Sequence, residues 1–145
     1  LVHFQMNSGS NVRFAYSIES TNDKKLSEYT FKLKVDVSST GTDYVVFKLN
    51  DNNANSDGSN SGGDSSYSWE KITSQHSDFS AITDDGGDGA TGKVTQNIEN
   101  IAWFDNVSGG ILASGHYDVI LEAWSKDGAT LIGTNHVVFD IMNVA

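Results

Sequence analysis

The stretch NANSDGSNSGGD, residues 53–64, carries oxygen-bearing side chains at Asn53, Asn55 and Asp57, a glycine at Gly58, a hydroxyl at Ser61 and a carboxylate at Asp64. Donors at alternate positions of a loop can converge on one cation, and a glycine at the sixth position permits the sharp turn, as in an EF-hand-type calcium loop. Asn53 stands where Asp is usual and Asp64 where Glu is usual, and neither flank has a helical pattern. A disordered polar insert would have the same composition, so a spacer stays open as the alternative. A second acidic group, TDDGGDGATG, sets Asp84, Asp85 and Asp88 among glycines that would let backbone carbonyls approach the same ion or a second one. A solvated hairpin turn is the plain alternative there. Every donor on offer is oxygen, which suits Ca2+ and disfavours zinc and copper.

Charge points the same way. Residues 50–91 hold eight acids (Asp51, Asp57, Asp64, Glu70, Asp78, Asp84, Asp85, Asp88) against the single base Lys71, so seven of the chain's ten net negative charges fall there. Carboxylates crowded in this way repel unless they are well solvated or neutralised by a cation. The whole chain has 19 Asp and Glu against 9 Lys and Arg, a field that repels nucleic acid and anionic lipid headgroups. No nucleic-acid partner and no membrane insertion are expected, the second because no apolar run is long enough to span a bilayer.

Aromatic residues supply a candidate for organic ligands. Tyr67 and Trp69 are two apart, so on a strand they share a face beside the mouth of the acidic loop, where they could stack on a sugar ring. Burial of Trp69 in the core, with Tyr67 as its neighbour, is the competing expectation. Trp124 lies on the strand face of Asp118 and Glu122, opposite Tyr117, Val119 and Leu121, and is a further candidate for ligand contact. Catalytic signals are lacking: there is no G-x-S-x-G, no H-E-x-x-H, no phosphate loop and no cysteine. The four histidines read as surface or strand-end residues, and the acids of the loops give only a generic pair for glycoside hydrolysis.

The segments that must position these residues alternate apolar and polar side chains. VRFAYSIES directs Val12, Phe14, Tyr16 and Ile18 one way, and FKLKVDVS does the same with Phe31, Leu33, Val35 and Val37. LVHFQM, YVVFKLN, KVTQNIENIAWF, YDVILEAW and LIGTNHVVFDIM add further strands, separated by the turn signals SSTGTD, NVSGG and SKDGAT. Seven or eight strands without a convincing helical segment predict an all-β fold, an antiparallel β-sandwich of immunoglobulin-like or jelly-roll type. Its expected core contains Phe14, Tyr16, Phe31, Leu33, Val35, Val119, Leu121 and Phe139. At 145 residues and 37% hydrophobic content, the chain is expected to form one domain, residues 1–145, interrupted by the polar acidic region around 50–92. The start at Leu1 and the absence of cysteine lead to the expectation of a module from a larger multidomain protein, extracellular or at the cell surface.

The hairpin SGHYDVILEAWSKDGATLIGTNHVVFDI resembles the last two strands of immunoglobulin-like modules in large secreted or surface proteins of bacteria. The cysteine-free acidic composition and the Asp-Gly loops are similar to modules of calcium-dependent bacterial adhesins of the RTX type. Their glycine-rich nonapeptide repeat is absent, so no binding residue is carried over. The resemblance implies a non-catalytic, calcium-dependent module that binds a glycan or a peptide, in adhesion or substrate targeting. A calcium-stiffened spacer or assembly subunit is the alternative, and a polysaccharide hydrolase a more remote one.

Overall fold

The computed structural model describes residues 2–7, 13–36, 43–51, 65–72, 82–87, 94–100 and 114–142. Among them the fold is all-β, with nine strands and one 3-10 turn at Leu26–Glu28. The strands are β1 (Val2–Asn7), β2 (Arg13–Glu19), β3 (Tyr29–Asp36), β4 (Tyr44–Asp51), β5 (Ser65–Lys71), β6 (Ile82–Gly87), β7 (Val94–Asn100), β8 (Gly115–Ser125) and β9 (Leu131–Met142). Seven of them form one sheet in the order β1-β9-β8-β3-β4-β5-β6, and β2 pairs with β7 in a separate two-stranded sheet. None of the described residues forms a helix long and apolar enough to cross a membrane.

The larger sheet is mixed. β1 runs parallel to β9, with Phe4 beside Phe139, whereas its other neighbouring strands are antiparallel. This corrects the expectation of a wholly antiparallel arrangement. Alternation in a sequence gives the face on which a side chain stands but not the direction of the neighbouring strand, and β1 and β9 come from opposite ends of the chain.

The alternating pattern of β3 explains the centre of the core. Phe31, Leu33 and Val35 are buried, with Lys32 and Lys34 between them on the other face. In register, Leu33 lies between Phe47 of β4 and Leu121 of β8, and Val35 between Val45 and Val119. Tyr16 and Ile18 of β2 join this cluster, together with Leu49, Trp69, Tyr117, Phe139 and Ile141, while Leu26 of the 3-10 turn closes it at one side. Of the expected core, Tyr16, Phe31, Leu33, Val35, Val119 and Phe139 are buried and Leu121 packs partly buried against them. The side chain of Phe14, and all of Val12 and Val37, lie outside the described residues.

Two departures concern the acidic region. β4 extends to Asp51 and β6 runs through ITDDGG, so part of what composition marks as loop is strand. Asp and Gly disfavour strands, but pairing with β5 supplies the backbone partners that override a weak local preference. Along that pairing the register shifts between Tyr67 and Trp69, an irregularity at which β6 takes one residue more than β5.

Candidate metal and ligand sites

The strands bring the two acidic segments to one end of the sheet. Asp51 of β4 is the register partner of Tyr67 in β5, and Tyr67 is the partner of Asp85 in β6. Ser65 pairs with Gly87, so the chain enters β5 from the 52–64 segment at the same end at which it leaves β6 towards Asp88. Asp84 and Asp85 lie in β6 itself. Asn53, Asn55, Asp57, Asp64 and Asp88 lie outside the described residues. Asp51, which the calcium-loop pattern passes over, is the addition here, and its signal was its place at the end of an alternating strand. Among the described residues no group of three or more His, Cys, Asp or Glu side chains is placed to hold a metal ion.

Trp69 is fully buried rather than presented at a surface. Its indole Nε1 donates to the Tyr16 hydroxyl at 3.2 Å, and the two rings meet edge to face with centroids 5.7 Å apart. A buried indole needs such an acceptor. The expected platform of Tyr67 and Trp69 therefore has no exposed Trp69 face. Tyr67 lies in β5 at the acidic end.

Trp124 stands on the opposite face of the sheet and is half-buried. Its Nε1 donates to Glu122 Oε1 at 3.3 Å, and the Lys32 ammonium lies 4.9 Å from the ring centroid. One strand away the pattern repeats, with the Lys34 ammonium 5.1 Å from the centroid of Tyr44. Burial, followed by the nearby carboxylates of Asp118 and Asp36, pushes the Tyr44 hydroxyl above its ordinary pKa. In register, Glu122, Lys32, Lys48 and Glu70 form one row across β8, β3, β4 and β5. Opposite charges at both ends of that row make it a mixed surface, not a cationic patch.

The histidines are more organised than their scatter along the chain suggests. On one face of β1, β9 and β8, His3 Nδ1 donates to Asp140 Oδ2 at 3.1 Å and His116 Nδ1 to Asp140 Oδ1. His136 Nε2 pairs with Asp118 Oδ1 at 2.5 Å. His116 and Asp140 are direct register partners, whereas His3 and His136 reach their aspartates diagonally. The His116 hydrogen bond and, after it, that of His3 hold the Asp140 carboxyl below the usual carboxylate range. In each pair the carboxylate orients the imidazole it accepts from.

No protein-family model, curated protein or solved structure matches the chain.

Proposed function

We propose that the chain is a non-catalytic, calcium-dependent ligand-binding module of a secreted or cell-surface protein, with a glycan or a peptide as ligand. The observation that carries this reading is the row Asp51, Tyr67, Asp85, which brings the backbones of both acidic segments to one sheet end. Acidic segments brought together in this way, with Lys71 the single base in residues 50–91, favour neutralisation by a divalent ion. Oxygen donors in flexible number suit Ca2+. On this reading Asn53, Asn55, Asp57 and Asp64 supply one set of ligands, and Asp84, Asp85 and Asp88 complete that site or form a second. Tyr67 at the acidic end and Trp124 on the opposite face are the aromatic residues that would meet the ligand.

The architecture we infer is a sandwich of immunoglobulin-like or jelly-roll type. The entry of Tyr16 and Ile18 of β2 into the core of the larger sheet supports it. A second functional reading, a calcium-stiffened spacer, draws support from the burial of Trp69, which removes half of the expected aromatic platform.

Retention on immobilised polysaccharides and peptides, with Ca2+ and with EDTA, separates the two. A binding module is retained with Ca2+ and released by EDTA. A spacer shows a melting temperature that responds to Ca2+ without retention on any support.

A further inference from the structure

We propose that the inner face of the larger sheet, at its β1-β9-β8-β3 end, holds a separate binding site for an uncharged, mainly apolar small molecule. A cavity of about 540 Å³ lies there between the sheet and β2. That volume is within the range of roughly 300–1,000 Å³ typical of small-molecule sites.

Strand register explains its walls. Three rows of side chains cross this face: Leu33, Leu121 and Asn135; then Val35, Val119 and Val137; then Tyr117, Phe139 and Phe4. Burial falls along each row towards the β9 and β1 side. Leu33 and Val119 are buried, Leu121 and Val137 only partly, and Phe4 is 48% exposed although it stacks on Phe139 at 5.7 Å. Apolar side chains thus remain in contact with water along the cavity, and a ligand that displaces this water gains the transfer free energy of its own apolar surface. Tyr16 of β2 bounds the other side.

Chemistry of the lining sets the ligand class. Among the described lining residues there is no Asp, Glu, Lys, Arg or His, in a chain whose net charge is -10. A charged ligand would lose its hydration without finding a counter-ion, so the occupant is neutral. Asn135, exposed and in register with Leu121 and Leu33, joins Gln5 and Ser17 as the uncharged polar part of the lining. Its amide can donate to and accept from one polar end of the ligand, which fixes orientation. The site uses none of the acidic segments and needs no calcium.

The test is a fluorescence titration of the whole chain with neutral N-phenyl-1-naphthylamine, in EDTA. Saturable one-to-one binding is expected, with the anionic probe 1-anilinonaphthalene-8-sulfonate binding at least about tenfold more weakly. Asn135→Trp, at an exposed position beside the cavity, should reduce affinity about tenfold or more while leaving a cooperative melt, and Val137→Trp should fill the space outright. Ile132→Ser, at an exposed position outside the lining, should leave the titration unchanged. Absence of saturable binding, equal binding of the anionic probe, or unchanged affinity in a folded Asn135→Trp variant would each overturn the assignment.

Discussion

The indole of Trp69 and the hydroxyl of Tyr16 are joined by a buried hydrogen bond of 3.2 Å that ties β5 of the larger sheet to β2 of the smaller one. Removing the acceptor leaves an indole N–H in the interior without a partner, at a cost of about 1–3 kcal/mol. Tyr16→Phe should therefore lower unfolding free energy by that amount in urea titrations, with an unchanged slope. Trp69→Ala adds a large void and should cost roughly 3–5 kcal/mol.

The β8-β9 turn gives a second, local prediction. Gly128 has φ of 73° and its N–H bonds Ser125 O at 2.8 Å, while Asp127 Oδ1 accepts from Ser125 Oγ and from the Ala129 N–H. A Cβ at Gly128 meets no atom within 4 Å, so a substitution there bears only the backbone penalty. Gly128→Ala should lose about 1–2 kcal/mol. Gly133, equally open but without positive φ, should accept Ala with far less loss. Thermal melts of the two variants side by side check this.

Asp140 predicts a pH dependence. Its folded-state pKa is lowered, first by the hydrogen bond from His116 and then by that from His3. A carboxylate of this kind contributes stability above its unfolded pKa of about 3.9, and the contribution is lost as pH falls through the lower folded value. Asp140→Asn should therefore melt below the parent chain at neutral pH, and the gap should close towards pH 2. A gap that persists undiminished in acid would show that the hydrogen bonds act without the charge.

Much of this architecture is legible in the residues. The alternation of FKLKVDVS places Leu33 and Val35 inward, because a buried face forces period-two patterning. The parallel pairing of β1 with β9 is not legible, since Phe4 would alternate identically beside an antiparallel partner. Nor is Trp69: its spacing from Tyr67 fixes a shared face, but only packing against Tyr16 decides that the face is interior. The His3–Asp140 contact joins strands from opposite ends of the chain, and His116 faces Asp140 across the β8-β9 hairpin; the register reveals both.

On the proposed function, calcium binds the acidic end of the sheet. Asp51→Ala and Asp85→Ala should each weaken binding, whereas Asp127→Ala, in the β8-β9 turn, should not. Magnesium should substitute poorly, because it demands a tighter octahedral shell.

Titration calorimetry of the intact chain with Ca2+ is the most direct measurement. Saturable binding at millimolar concentration or below is expected, within the range of extracellular calcium modules, with a melting temperature that Ca2+ raises and EDTA lowers. A chain that takes up no Ca2+ at millimolar concentration, and whose melt is indifferent to EDTA, would contradict it.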